Sequence, residues 1–367
     1  MHNIKGVYHM RKGVLVFGIA ALASVLANAA ILAPVNATDI TSADGATKTL
    51  SGTIDDGIYV KSGANITITL DNATINAAAG KDTVYVEKGA KLTLTGKGTI
   101  NNVAGYAGVF NNGEAAIDGD ITINHTGSYY AVLNHGEMII NKATIKADKN
   151  TNSVVVNGYY DYGDTSSHRV GYVKDVAYAN PKMTLGSDVV VDAPDAKNVT
   201  IKNDDGGIMT INGGTYIASA AGAFQNAHKA TVNGGTFTQT NVKKPLLYNV
   251  YYAGGNDEGI LEINDGLFNY AEDTFVEAKD GGKITIKGGA FSFAPEEEYI
   301  ADGVEFEKND NNLWAVKAPI ELPADSEEEE EKEEKNPATA DNLFASVAIF
   351  AGALVAFGAT LVASKRA

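Results

Sequence analysis

The sequence predicts an all-β chain wound into a β-solenoid of about nine to ten coils, and three features predict it. The first is a recurring pattern. Ile58-Tyr59-Val60-Lys61-Ser62-Gly63-Ala64-Asn65-Ile66-Thr67-Ile68 returns about 26 residues later as Val84-Tyr85-Val86-Glu87-Lys88-Gly89-Ala90-Lys91-Leu92-Thr93-Leu94. Shorter versions follow at Val109-Phe110-Asn111-Asn112-Gly113, Val132-Leu133-Asn134-His135-Gly136 and Val155-Val156-Asn157-Gly158, at intervals of about 22 to 24. A second phase marker, Ile211-Asn212-Gly213-Gly214-Thr215-Tyr216, is echoed at Val232, Ile263 and Ile286.

The second feature is alternation within each repeat. In Ile66-Thr67-Ile68-Thr69-Leu70 and Lys283-Ile284-Thr285-Ile286-Lys287, period two places the aliphatic residues on one face and Thr and Lys on the other. One such repeat cannot bury its apolar face, whereas stacked coils close a continuous core. The third feature is turn chemistry. There are 39 Gly against 8 Pro, and the Asn-Gly and Gly-Gly pairs are expected to supply a positive-φ corner for each coil.

A repeat of this length, with two or three short strands and no helix, resembles the right-handed parallel β-helix of pectate-lyase-like proteins. The resemblance covers about residues 45–316 and is one of architecture, not of a catalytic family. Leucine-rich repeats share the period but need a fixed Leu ladder, which this sequence lacks. Trp314, in Leu313-Trp314-Ala315-Val316, is placed to close the last coil.

Composition narrows the function classes. With 0 Cys, disulfides, thiolate metal sites and a Cys nucleophile are excluded, so the core must hold the fold. The net charge is -16. Residues 1–37 carry Lys5, Arg11 and Lys12 (+3) and residues 340–367 net +1, which leaves the stretch between them at −20. That charge argues against nucleic acid as a partner, because phosphate neutralisation needs cations.

Both ends read as addresses. Lys5, Arg11 and Lys12 precede an apolar run from Gly13 to Ala33, the charged and apolar regions of a signal peptide over 1–37 with cleavage after Ala37. An uncleaved N-terminal anchor is the alternative. At the other end, residues 343–363 are apolar and long enough to span a bilayer, followed by the basic tail 364–367 with Lys365 and Arg366. Before that span stands Asn336-Pro337-Ala338-Thr339-Ala340.

The order of motif, apolar segment and basic tail resembles the sorting signal of sortase substrates on Gram-positive-type cells. The resemblance implies cleavage between Thr339 and Ala340, with Thr339 joined to peptidoglycan. The motif begins with Asn336 and ends with Ala340, where the commonest form has Leu and Gly. The alternative is that the C-terminal helix stays as a plain membrane anchor. Residues 319–335, with Glu327 to Glu331 in one run, read as an acidic, extended stalk below a β-helix ectodomain over 38–318.

Two insertions interrupt the coils. Tyr159 to Pro181 holds Tyr159, Tyr160, Tyr162, Tyr172 and Tyr178, and Pro245 to Glu258 holds Tyr248, Tyr251 and Tyr252. Insertions in solenoids emerge as loops, often on the binding face, and Tyr offers flat apolar area with a polar tip. The competing reading is ordinary packing against the solenoid side. No catalytic set, metal site or cofactor motif emerges: His168 and Arg169 sit in an insertion rather than on a strand, and His125 and His135 read as bystanders near corners. Asp204-Asp205 and Asn309-Asp310-Asn311-Asn312 read as turns. Three functions stay open: an adhesin or interaction module for glycan or host protein, a structural coat or spacer, and a carbohydrate-active enzyme.

Overall fold

The computed structural model describes residues 39–40, 45–77, 80–103, 107–158, 180–204, 206–218, 222–239, 245–250, 259–270, 276–279 and 282–317. Alternation of apolar and polar residues turns nearly all of these into strands, and the strands stack in parallel into a β-solenoid of about 8 turns. One sheet holds 10 short strands, in the order in which they occur along the chain. The other holds 14, built from long strands such as Asn65–Asn76, Lys91–Asn102 and Glu114–His125.

Several of the long strands, or the paired halves that replace them, break regular strand geometry near their middle. Gly52, Asn72 and Gly96 take positive φ there in the first coils, and Gly214, Gly235, Gly266 and Gly289 do so in the later ones. At Gly96 nothing larger fits, because an added Cβ would sit 2.2 Å from the Leu70 carbonyl oxygen at a φ of +84°. Strands Ile208–Ile211 and Thr215–Ala218 divide at this break, so a coil comprises one short strand and two halves of a long one.

The period-two pattern carries the interior. One inward column runs Ile68, Leu94, Ile117, Ile140, Leu185, Ile211, Val232, Ile263, Ile286, each paired in register with the next. A second starts with aliphatic residues at Ile54, Ile75, Ile100, Ile123, Ile145 and Val191 and turns aromatic at Tyr216, Phe237, Phe268 and Phe291. The aromatic rings stack at centroid distances of 4.9, 5.0 and 4.7 Å. The Tyr216 hydroxyl, buried among them, donates to the Gly213 carbonyl at 2.6 Å, and burial pushes its pKa far up.

A polar column crosses this interior. Asn111, Asn134, Asn157, Asn203, Asn226 and Asn249 are fully buried at one corner of successive coils. The Nδ2 of each of the first five donates to the Oδ1 of the next, at 2.7, 2.7, 2.8, 2.8 and 2.7 Å. Each also fastens its own corner: Asn134 Nδ2 donates to the Gly136 carbonyl at 3.0 Å while its Oδ1 accepts the Gly136 N–H at 3.1 Å. These corners differ from the positive-φ expectation. Gly158 has a φ of 92°, but Gly113 and Gly136 are glycine because backbone passes close by: an added Cβ at Gly136 would lie 2.0 Å from the Gly113 carbonyl oxygen.

The coil count also falls short of the expected nine to ten. After Phe291 the chain makes a 3-10 turn at Glu297–Tyr299, and Phe306–Lys308 and Trp314–Val316 then pair antiparallel rather than adding a coil. Trp314 does pack on the end of the core, as anticipated, opposite Phe291. Phe306 meets the last ring of the aromatic column edge-on at 5.6 Å. At the opposite end Lys48 occupies an inward position opposite Ile68, and a charge there disfavours addition of a further strand. Among the described residues no helix is long and apolar enough to cross a membrane. The proposed signal peptide 1–37, stalk 319–335, sorting motif Asn336 to Ala340 and apolar segment 343–363 all lie outside the described residues.

Candidate functional site

The short strands turn one residue per coil away from the solenoid interior, so the outer side of their sheet is a single file, buried at Phe110, Leu133 and Val156. In register it reads Tyr59, Tyr85, Phe110, Leu133, Val156, Lys202, Gln225, Tyr248. In its middle, Phe110, Leu133 and Val156 form a buried cluster with Ala107, and Tyr85 and Tyr130 pack against it. These residues constitute a second apolar patch outside the solenoid wall.

At the N-terminal end of the file, Tyr59 and Tyr85 are half-buried, and both hydroxyls are engaged. Tyr59 Oη donates to the Asp82 carbonyl at 3.1 Å, and Asn112 Nδ2 donates to Tyr85 Oη at 3.1 Å. Because each partner belongs to a later coil, the rings lie along the solenoid instead of pointing away from it. Their centroids are 6.5 Å apart, and Tyr85 continues to Phe110 at 5.3 Å. His135 stands edge-on to Phe110 at 5.1 Å.

The polar surroundings are tied down as well. Lys61 Nζ lies 3.0 Å from Glu87 Oε1, and the Ser62 N–H donates to Glu87 Oε2 at 2.9 Å. Burial opposes charge on Glu87, but Ser62 and Lys61 together outweigh it and hold the carboxyl below its usual range. The Asp82 carboxylate accepts the Ala107 N–H at 2.7 Å. Burial pushes the Tyr85 phenol up, the nearby Glu87 and Asp82 charges add to this, and the ring stays neutral.

Of the tyrosines singled out from the sequence, Tyr248 belongs to this same outward file, in the strand Leu247–Val250, with its ring beside Gly222. Tyr159, Tyr160, Tyr162, Tyr172, Tyr178, Tyr251 and Tyr252 lie outside the described residues. The points of departure of their segments are described. One leaves after Val155–Asn157; the other, expected to begin at Pro245, leaves only after Leu247–Val250, which alternation makes a regular strand of the sheet, and both depart just past the asparagine column. The two insertions thus start from the same corner of the coil.

Sequence reasoning missed Tyr59 and Tyr85 as site residues, although the aligned repeats Ile58-Tyr59-Val60 and Val84-Tyr85-Val86 already placed them outward. Asp204 and Asn309 do sit in turns: the Gly207 N–H reaches the Asp204 carbonyl, and Asn309 Oδ1 accepts from the Asn311 and Leu313 amides. Asp204 also pairs with Lys202 at 2.7 Å, in a largely buried ion pair. Among the described residues, no group of three or more His, Asp or Glu is placed to hold a metal ion.

Fold and face together define a parallel β-solenoid whose short-strand sheet carries aromatic residues on its outer side in the first coils, Tyr59, Tyr85 and Phe110, and again at Tyr248. Compared with protein-family models, curated proteins and solved structures, the chain matches none.

Proposed function

We propose that this chain is an exported interaction module, held at the surface of a Gram-positive-type cell, that binds glycan or protein through the tyrosine-bearing face of its short-strand sheet. The observation that carries the reading is that the tyrosines lie on one side of the solenoid: Tyr59, Tyr85 and Tyr248 occupy the same outward file, and both Tyr-bearing insertions start from its edge. Flat, immobilised aromatic area loses little conformational entropy on binding. The charged groups described along the file are tied into the ion pairs Lys61–Glu87 and Lys202–Asp204, and recognition through the rings is the reading this favours.

Surface display rests on the sequence: a charged and apolar leader, the acidic stalk, the motif Asn336 to Ala340, and the apolar segment with its basic tail. In this reading the C-terminal helix holds the chain in the membrane until a sortase cuts after Thr339 and transfers it to peptidoglycan. The test is fractionation of cells producing the full chain. Wild-type protein should leave the wall only on muramidase digestion, and Thr339→Ala should stay with the membrane. Recovery of both from the cytosol would end the display reading. A glycan and protein array probed with the full chain tests recognition, and a blank array would leave a spacer in its place.

A further inference from the structure

We infer that the paired rings of Tyr59 and Tyr85 form a stacking platform for a neutral linear polysaccharide. The inference deepens the interaction reading above and rests on it. Three observations carry it. First, the rings are fixed before any ligand arrives: each hydroxyl is held by a group on a later coil, Asp82 or Asn112, so the rings lie along the wall. A tyrosine anchored at its tip offers its π face, and the π face is what the axial C–H bonds of a pyranose pack against.

Second, the spacing suits a polymer. Ring centroids 6.5 Å apart, tilted by 52° to each other, allow neighbouring sugar units of one chain to meet successive rings. The repeat of the solenoid produces this arrangement directly, because Tyr59 and Tyr85 are register partners in adjacent coils. Third, the electrostatics select against acidic glycans. Lys61 is paired with Glu87, Asp82 accepts from a backbone amide, and Tyr85 keeps its proton. The chain as a whole carries a charge of -16, so an anionic polymer would be repelled on approach.

The test is affinity electrophoresis of the full chain through gels containing hydroxyethylcellulose, laminarin or mannan as neutral probes, with polygalacturonate as the anionic one. The expected result is retardation by at least one neutral probe and none by polygalacturonate. Tyr59→Leu/Tyr85→Leu removes the rings, and also the hydroxyl to which buried Asn112 donates, so it should lower thermal stability; assayed below its Tm, where it is folded, it should bind at least tenfold more weakly. Tyr59→Phe/Tyr85→Phe keeps the rings but releases their tips, so its binding should fall between that of the wild type and that of the Leu variant. Thr184→Ala, on the long-strand sheet, should leave it unchanged.

Retardation that persists undiminished in the double Leu variant, or a preference for polygalacturonate, overturns the platform. If no neutral probe retards the wild type while the array registers another ligand, the platform fails and the interaction reading stands. If both are blank, both fail.

Discussion

Replacing Asn134 with Ala should separate the buried asparagine column from ordinary surface ladders. The side chain donates to the Gly136 carbonyl, to Asn157 Oδ1 and to the Lys182 carbonyl at 3.0, 2.7 and 2.8 Å, and it accepts from Asn111 Nδ2 and the Gly136 N–H at 2.7 and 3.1 Å. All five contacts vanish in Asn134→Ala, and most of their partners are buried. A neutral hydrogen bond contributes about 1 kcal/mol net, and a buried orphan costs about 1–3 kcal/mol. Some partners keep other bonds, so the expected loss is about 3–5 kcal/mol.

The comparison is Asn76→Ala. Asn76 belongs to a more exposed ladder, donating to Asp55 at 2.8 Å and accepting from Asn101 at 3.0 Å, where water can replace both bonds. Its loss should cost about 0.5 kcal/mol or less. Urea unfolding followed by far-UV circular dichroism measures both. Because coils couple to their neighbours, a break at Asn134 should also broaden the transition. Asn134→Asp adds a pH signature: at neutral pH it buries a carboxylate among acceptors, so it should be worse than Ala and recover partly on acidification. Equal midpoints for Asn134→Ala and Asn76→Ala would refute the reasoning.

Two further outcomes follow from the same geometry. Phe237 stacks between Tyr216 and Phe268 and is fully buried, so Phe237→Ala should cost about 3–5 kcal/mol in urea unfolding, while Phe237→Leu costs about 1–2 kcal/mol. Glu87 has a folded pKa below its unfolded value, so its contribution is present above the unfolded pKa and is lost as pH falls through the folded one. The gap in Tm between wild type and Glu87→Gln should therefore be small but constant above the ordinary carboxylate range and should close as pH falls through it, and a gap that widens on acidification would contradict it.

The solenoid was legible because its core obeys two periods at once. Ile75, Ile100 and Ile123 alternate locally with Thr and Asn and recur at the coil length, and the Gly-Gly pairs ending in Gly214, Gly235 and Gly289 mark the breaks. The asparagine column was not legible as a column. In Val109-Phe110-Asn111-Asn112-Gly113 a polar residue beside a glycine reads as a turn, and what makes Asn111 an interior residue is an acceptor supplied by Asn134 one coil away. The close at the C-terminal end was hidden for a related reason: strand-like residues around Phe306 and Trp314 do not reveal in which direction they pair. For the candidate site, alternation showed that Tyr59 and Tyr85 face outward. It could not show that their hydroxyls are held by Asp82 and Asn112, since those contacts cross coils.

The link from Asn157 to Asn203 spans 46 residues, and that from Asn134 to Asn157 spans 23, yet the bonds measure 2.8 and 2.7 Å. The joint between coils is thus indifferent to how much chain is looped out between them. Gene segments encoding one whole coil could be gained or lost inside this run without re-engineering the neighbours, provided each newcomer brings its own asparagine. A lineage carrying this architecture can vary its reach in increments of one turn and graft new loops at the same corner, while its interior stays unchanged.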